Sequence, residues 1–516
     1  MLAGLGAGGV ALLLALQTAA GFSTLTWWWG LIVLVLELAL VVLAGLHILL
    51  NKRNTASALL WLVVVVVVPI VGTLIYVAFG VDRHGRRATA KELRSEAARE
   101  QLLAMGGALT PSTLLGGDDP DETCSDPLEA DRFPDALDPF AILLARVGRY
   151  RAAAGCSLEL LPSGDAFYAA ALDAIAAAES SVVLETYIFD TDEAGDPILQ
   201  ALAAASERGV RCSLLFDAIG SPRIAGPGLA AARRAGVDVH AFDMRSALRG
   251  RFQVNLRNHR KILVVDGHVG FTGGCNFSAR HLTSAPLDER SEDVHFLVRG
   301  PAVAQLSAVF AEDWYSTTGK TLAEALYFPA IPSAGKDVCR VLPSGPDGDY
   351  GAFHEVLVAA IHGAQRSVSI VTPYFVPSDE VTLAMRVAAR RGVFVSVTLP
   401  ERLDHKYVLW ASNSFLEPLL EAGVEILRRP GPFLHAKVLV VDGVWALVGS
   451  SNIDPRSFFL NYELNLGVVG PAVARIGAWV DEQRRISKRV KLEEFANRGV
   501  ARRAWENFWG LFRPML

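Results

Sequence analysis

The 516-residue sequence has few cysteines, five in all at 124, 156, 212, 275 and 339, and no CxxC pair. That usage excludes a disulfide framework and a zinc ribbon, and it points to a reducing compartment for the bulk of the chain. Charge is scarce too: 20% of residues are Asp, Glu, Lys or Arg, and 49 basic against 54 acidic side chains leave a net of −5. A chain so balanced does not coat nucleic acid through its overall field. An anionic partner has to be met by a local basic site, and nucleic acid is not expected as a partner. The sequence has no Walker loop and no metal-ligand cluster, so neither a cofactor nor a metal is expected. What it has in excess is apolar residues, 51% of the chain, with a mean hydropathy of +0.31. This is too apolar for a fully soluble chain, too long for one ordinary domain, and far from the composition of disorder or collagen.

The apolar excess is concentrated at the start. Trp27 to Leu50 and Ala56 to Phe79 are nearly charge-free runs of 24 residues, each enough to cross a hydrocarbon core as a helix. Asn51 to Thr55 leave room only for a tight connection, so the sequence predicts a transmembrane helical hairpin over 27–80. Lys52 and Arg53 in the connection are outnumbered by Arg83, Arg86, Arg87, Lys91 and Arg94 after the second run. The larger cluster should stay cytoplasmic, which predicts a multi-pass inner-membrane protein with its remaining mass in the cytoplasm. Glu37, near the middle of the first run, has no evident partner and reads as a tolerated carboxyl. Residues 1–26 are an uncertain apolar segment, long enough for a third span but lacking the basic leading region of a secretory signal.

Residues 81–138 read as a linker, basic and then acidic. Between Asp118 and Asp138 nine carboxylates face the single Arg132, with prolines at 120, 127 and 134. From about Gly155 onward, β-rich runs such as Ser181 to Ile188 and Val210 to Phe216 alternate with Ala-rich stretches such as Ala166 to Ala178 and Asp196 to Glu207. That alternation predicts an α/β fold with a largely parallel sheet.

An internal repeat sets the architecture. Leu161-Pro-Ser-Gly164 recurs as Leu342-Pro-Ser-Gly345, and His259-Arg-Lys-Ile-Leu-Val-Val-Asp266 as His435-Ala-Lys-Val-Leu-Val-Val-Asp442. Asn276 and Asn452 keep the offset of 176 between the histidines, and Gly300-Pro-Ala-Val303 and Gly470-Pro-Ala-Val473 are offset by 170. A period this long is a duplicated domain, predicted as two lobes, 139–335 and 336–483, related by a pseudo-twofold axis. Residues of both copies can then meet at the seam.

In each copy a histidine and a lysine are two apart on a predicted strand, so His259 with Lys261 and His435 with Lys437 should project from one face. Two imidazoles and two ammonium groups suit a tetrahedral, anionic phosphoryl centre. Lysine supplies charge without a metal, and histidine can attack, accept or donate a proton near neutral pH. Asp266 and Asp442 lie seven residues on, roughly 23 Å along an extended strand. Each precedes a glycine and another apolar run, so the spacing reads them as hairpin-turn residues.

The duplicated HxK-x4-D-x6-G-x-x-N pattern resembles the phospholipase D superfamily. The wider match resembles the bacterial cardiolipin synthases, through Asn255-Leu-Arg-Asn-His-Arg-Lys261, Gly270-Phe-Thr-Gly-Gly274, Trp410-Ala-Ser412, Phe433-Leu-His-Ala-Lys437, Gly449-Ser-Ser-Asn452 and Arg456-Ser457 through Asn461-Tyr-Glu463. It extends to the apolar hairpin, where Lys52-Arg53 leads into Ser57-Ala-Leu-Leu-Trp61 and Pro69. The resemblance implies that one of His259 and His435 attacks phosphorus while the other protonates the leaving alkoxide. It counts Lys261, Lys437, Asp266 and Asp442 with them as the catalytic motif. It implies Asn276, Asn452 and Ser450 as phosphate-binding residues, and Asp293 and Glu463 as the carboxylates that orient the imidazoles. Gly274 stands where a serine like Ser450 is expected, so a hydroxyl contribution should be one-sided. Cys275 reads as a packing residue.

The implied activity is transfer of a phosphatidyl group between two phosphatidylglycerol molecules, giving cardiolipin and glycerol. A hydrolytic phospholipase D or membrane-tethered phosphodiesterase is the alternative with the same chemistry, and a non-catalytic anionic-lipid scaffold is the alternative without it. Two intact motifs count against the scaffold. In residues 484–516, nine basic residues face three acidic ones and are interleaved with Trp505, Phe508, Trp509 and Phe512. The segment fits either a membrane surface or a helix packed on the lobes.

Overall fold

The computed structural model describes residues 24–52, 55–80, 147–242, 256–322 and 325–513, with single positions between 91 and 97 and at 143. The expectations for residues 1–23 and for the acidic run 118–138 lie outside the described residues. The chain forms two compact units, Met1–Arg86 and Arg87–Leu516.

In the first unit, α1 (Thr24–Asn51) contains a stretch, Leu31–Asn51, of mean hydropathy 2.7, long and apolar enough to cross a membrane. The second apolar run is not one helix, which corrects the expected pair of uninterrupted spans. It divides into α2 (Thr55–Val67) and α3 (Pro69–Ile75), followed by a π turn at Tyr76–Gly80. Pro69 has no N–H to donate and its ring crowds the preceding turn, and Val68 leaves helical geometry at φ −131°, ψ 78°. At Gly72 a Cβ would stand 2.3 Å from the Val64 carbonyl oxygen, a close approach only glycine permits. Ala44, Ile48, Val65 and Tyr76 pack the three helices together, with His47 Nδ1 2.7 Å from the Tyr76 hydroxyl.

In the second unit the first lobe supplies β1 (Ala153–Leu161), β2 (Ser181–Thr186), β3 (Arg211–Asp217), β4 (Asp238–Phe242), β5 (Ile262–Val265), β6 (Val269–Gly273), β7 (Ser291–Glu292) and β8 (His295–Arg299). The second supplies β9 (Asp337–Ser344), β10 (Ser367–Val371), β11 (Phe394–Pro400), β12 (Glu425–Arg429), β13 (Phe433–Leu434), β14 (Val438–Val441), β15 (Trp445–Gly449) and β16 (Glu463–Val469), and the chain adds β17 (Lys488–Arg489) at the edge. Fifteen of these strands form one sheet in the order β17-β12-β11-β10-β14-β15-β16-β9-β1-β8-β6-β5-β2-β3-β4. Apart from β17 the order is a palindrome about the antiparallel β1–β9 pair. The duplication therefore closes as one sheet with a pseudo-twofold at its centre.

The sheet is mixed, which corrects the expectation of largely parallel pairing. Only β2–β3–β4 and β10–β11–β12 run parallel. The turns at Asp266-Gly267 and Asp442-Gly443, each pair with positive φ, fold β5 onto β6 and β14 onto β15 as hairpins.

Helices cover both faces. α4 (Gly164–Ala176), α5 (Gly195–Glu207) and α6 (Pro227–Arg234) are the helices of the first lobe's α/β half, and Phe167, Ile198, Leu202 and Leu214 build its core. After α7 (Ala302–Thr318) come the second lobe's α8 (Ala352–Gly363) and α9 (Asp379–Arg390), where Phe353, Ile361, Met385 and Leu399 do the same. Beyond them lie α10 (Lys406–Asn413), α11 (Leu416–Glu421), α12 (Pro455–Phe459), α13 (Pro471–Arg485), α14 (Leu492–Ala496) and α15 (Val500–Gly510). A third core joins Leu306, Phe310 and Trp314 of α7, Val473 and Ile476 of α13, and strands of both lobes. The lobes share this core, so burial of apolar area fixes the seam on which the site is built.

Candidate active site

The two histidines stand just ahead of β5 and β14, in extended chain outside the strands themselves, a small correction to the strand reading. What positions them is pairing across the seam. The His259 N–H donates to the Tyr462 carbonyl at 2.8 Å, and the His435 N–H to the Glu292 carbonyl at 2.7 Å. In both cases the next residue of the partner strand turns a carboxylate onto the imidazole. Glu463 Oε2 is 2.9 Å from His259 Nδ1, and Asp293 Oδ2 is 2.6 Å from His435 Nδ1. Each histidine is thus oriented by the other lobe. A carboxylate on Nδ1 fixes the proton there and leaves the Nε2 lone pair for chemistry.

Lys261 and Lys437 lie with them. Lys261 Nζ donates to the His259 carbonyl at 2.7 Å, and Lys437 Nζ lies 3.0 Å from His435 Nε2. Each ammonium is within electrostatic reach of both Asp293 and Glu463, so the two motifs form one site. Burial pushes Lys261 down to about 7 and Lys437 down to about 8. Burial also lowers His259, and burial with the neighbouring Lys437 takes His435 down to about 4. Burial works to raise Asp293, but Lys437 and His435 hold it far below the ordinary carboxylate value. Glu463 is likewise pushed up by burial and pulled below its ordinary value by His259. These shifts favour neutral imidazoles and ionised carboxylates at neutral pH. An entering phosphodiester would supply the negative charge that the lysines lack.

Asp266 and Asp442 do not belong to this group, and the catalytic assignment that comes with the motif is not supported by their placement. Both lie at the hairpin turns, at φ 52° and 55°. Asp266 accepts from the N–H groups of Glu179, Ser180 and Ser181 at 2.7–2.9 Å, and Asp442 from those of Gln365, Arg366 and Ser367 at 2.7–2.9 Å. They clamp the loops that lead into β2 and β10.

The expected phosphate-binding side chains divide. Asn276 accepts from the Ile188 N–H at 3.2 Å, which leaves its amide NH2 as the donor end, and Asn452 Oδ1 is buried without a partner. Ser450 is engaged elsewhere: its hydroxyl donates to Glu463 Oε2 at 2.5 Å and accepts from the Leu464 N–H at 2.9 Å. With Ser457 and Asn461, also on Glu463, it holds the carboxylate that holds His259. At Gly274 a Cβ would fall 2.1 Å from Asp293 Oδ1. Serine is excluded there because the shorter aspartate lies where the side chain would go.

Sequence reasoning missed a buried polar cluster behind His259. Arg260 pairs with Asp313 at 2.6 Å and donates to the Glu463 carbonyl at 3.1 Å. Asp313 also pairs with Lys91 at 2.7 Å, whose ammonium lies 4.1 Å from the Tyr462 ring centroid. Glu185 accepts from Asn258. In the second lobe Ala436 and Val371 occupy the positions of Arg260 and Glu185, so the two histidines have unlike surroundings. The variation between HRK and HAK was the available signal.

One group of ligand atoms also escaped the sequence reading: Cys275, His281 and Asp293 lie within 4.8 Å of one another. Asp293 already accepts from His435, and Lys261 and Lys437 bear on His281, so the local field opposes a cation.

A palindromic sheet with histidine, lysine and crossed carboxylates at its seam defines a two-lobe phospholipase D-type fold. Among solved structures, a phosphatidylserine synthase from Haemophilus influenzae superimposes with a TM-score of 0.53 at 16% identity, over 70% of this chain and 95% of that one. The family described as cardiolipin synthase, PLD-like domain, matches residues 171–314 and 357–481, and the phospholipase D-nuclease N-terminal family matches 39–80. A cardiolipin synthase of Geobacillus kaustophilus is 33% identical over 92% of each chain, one of Halalkalibacterium halodurans 30% over 98% of this chain and 99% of its own, and cardiolipin synthase A of Pseudomonas fluorescens 34% over 84% and 87%. The chain belongs to the cardiolipin synthase family of phospholipase D-like enzymes. It is a membrane-associated phosphatidyltransferase acting on phospholipids.

Proposed function

We propose that the protein makes cardiolipin and glycerol from two molecules of phosphatidylglycerol through a phosphohistidine. The observation that carries the mechanism is the crossed pairing of His259 with Glu463 and His435 with Asp293. Nε2 of one neutral imidazole attacks phosphorus. The bond to the glycerol oxygen breaks, and that oxygen takes a proton from the second histidine, whose imidazolium form the bound phosphate and its own carboxylate favour. The second histidine, now neutral, removes a proton from the hydroxyl of another phosphatidylglycerol, whose oxygen displaces the histidine from phosphorus. Lys261, Lys437, Asn276 and Asn452 hold the non-bridging oxygens through both steps. Ser450, Ser457 and Asn461 act at one remove, by fixing Glu463.

The lobes 139–335 and 336–483 share this work. In this reading the lobes work on the cytoplasmic side of a bacterial inner membrane, where both lipids are at hand; the basic residues that follow the apolar segment, Arg83, Arg86, Arg87, Lys91 and Arg94, support it. Incubating the purified enzyme with phosphatidylglycerol alone and weighing the lipid products by mass spectrometry tests the reading. Cardiolipin with released glycerol is expected, and phosphatidic acid as the main product would reject it.

A further inference from the structure

The last helix, α15, is turned inside out. Its one buried side chain is a charged one, Glu506, which accepts from Asn413 at 2.9 Å and pairs with Arg498 at 3.4 Å and Arg502 at 3.1 Å. Except for Trp509, its large apolar side chains face outward: Val500 is 83% exposed, Trp505 48% and Phe508 46%, and Leu511 just past the helix is 76% exposed. At about 100° per residue, these positions and Phe512 fall on an arc of about 140° on the side away from Glu506. A surface helix of a soluble protein does the reverse, hiding its apolar stripe and showing its charges.

The outward face is ordered. Trp505 stacks on Phe508 at 5.6 Å between ring centroids, Phe508 meets Phe512 at 5.3 Å, and Trp509 anchors the helix on Tyr407 and Trp410 of α10 at 5.7 and 6.0 Å. Among the described residues after 147, five of the eleven exposed large apolar side chains lie between Val500 and Phe512. Such a concentration marks a face that something other than water covers.

The surrounding chemistry selects the occupant. Arg502 and Arg503 pair with Glu506 and Glu417 at 3.1 and 3.5 Å yet stand exposed on the same helix, and residues 484–516 carry nine basic against three acidic side chains in a chain whose net charge is −5. Tryptophan and phenylalanine beside arginine suit the boundary between acyl chains and anionic headgroups. A chain with a 21-residue stretch long and apolar enough to cross a membrane has such a boundary within reach.

We propose that the outward face of α15 inserts into the interfacial layer of an anionic bilayer, giving the catalytic unit its own contact with the lipid surface. This extends the reading of a lipid-modifying enzyme, and its test does not depend on turnover. The full chain carrying Cys124→Ser and a single introduced cysteine, Leu511→Cys, takes an environment-sensitive label, since the other four cysteines are buried. In nanodiscs of phosphatidylcholine with phosphatidylserine the label should shift to the blue and be quenched by lipids brominated on their acyl chains, and a label at the exposed Lys488 should not be.

Phe508→Ser/Leu511→Ser should raise the KM for phosphatidylglycerol in mixed micelles several-fold and leave kcat unchanged. No quenching at 511 in these nanodiscs, or concentration-dependent crosslinking of two copies through 511 in its place, overturns the proposal. Quenching without cardiolipin formation would leave it standing and count against the enzymatic reading alone.

Discussion

Glu463 holds the imidazole of His259 from the opposite lobe, 204 residues further along the chain, at 2.9 Å. Asp293 does the same for His435 across 142 residues in the other direction. Neither lobe therefore contains a complete histidine–carboxylate pair, and the shared sheet and core are what bring each pair together.

Removing either carboxylate's charge should cost turnover without unfolding the chain. Glu463→Gln and Asp293→Asn are each expected to lower kcat by about 10²- to 10⁴-fold, because the imidazolium of the transition state loses its partner and the tautomer is no longer fixed. His259→Ala and His435→Ala should each abolish turnover, measured as cardiolipin formed by folded protein. Substantial activity in either histidine variant would reject a site shared between lobes.

The lysines give a pH signature. Burial holds Lys261 at about 7 and Lys437 at about 8, below the 10.5 of an ordinary lysine. Between about pH 7 and 10 the unfolded chain thus binds more protons than the folded site, and these two groups make stability rise with pH across that window. Anion binding runs the other way, since it requires the ammonium forms. Inhibition by inorganic phosphate should weaken from pH 7 to pH 9, and Lys437→Met should flatten the dependence. A pH-independent inhibition constant in the parent enzyme would show that the lysines are not the anion's partners.

The two lobes solve one steric problem in two ways. Asp293 faces Gly274, whereas the longer Glu463 faces Ser450 and accepts its hydroxyl. Gly274→Ser should push Asp293 off His435 and reduce kcat by at least about tenfold, in the range expected for a displaced orienting group. Gly274→Ser combined with Asp293→Glu copies the second lobe and should restore part of the loss. Equal activity of the single variant and the parent would mean that the Asp293 position is not constrained.

Much of the site was legible because the repeat exposes it. His259, Lys261, His435 and Lys437 recur at fixed spacing, and the Asp-Gly pairs after them signal the hairpins. The crossing of the carboxylates was not legible, because spacing along one chain does not say which lobe a strand faces across a seam. The sheet was misjudged for a related reason: alternating β and α stretches suggest parallel pairing, but the two hairpins add antiparallel strands at the centre. The break at Pro69 was not legible from hydropathy, which counts apolar residues and does not register the missing N–H. The Lys91–Asp313–Arg260 chain joins residues more than 200 positions apart by charge alone, and no periodicity reports that.

Asp442→Asn should act on folding. The carboxylate accepts three backbone N–H groups at the entrance to β10, and an amide oxygen replaces it without the charge. A loss of about 1–3 kcal/mol is expected from weakened bonds to a charged acceptor. Thermal unfolding should shift accordingly, and the folded fraction should keep its kcat. Unchanged stability with lost activity would place Asp442 in the chemistry after all.

Transfer and hydrolysis part at the second step. In the proposed mechanism a phosphohistidine would have to outlast the departure of glycerol, and the hydroxyl that next reached phosphorus would decide the product, with the other histidine as base. At a lipid surface phosphatidylglycerol is locally concentrated, and the seam between the lobes buries His259, only 8% exposed, and partly buries His435. Exchange of one phosphodiester for another is close to balanced in energy, so its direction should follow concentration. Labelled phosphatidylglycerol in membranes should yield mostly cardiolipin, and excess glycerol added to cardiolipin should regenerate phosphatidylglycerol. Water, by contrast, gives a product that glycerol cannot readily reverse. If phosphatidic acid dominates and glycerol never restores phosphatidylglycerol, water is the physiological acceptor and the enzyme is a phospholipase.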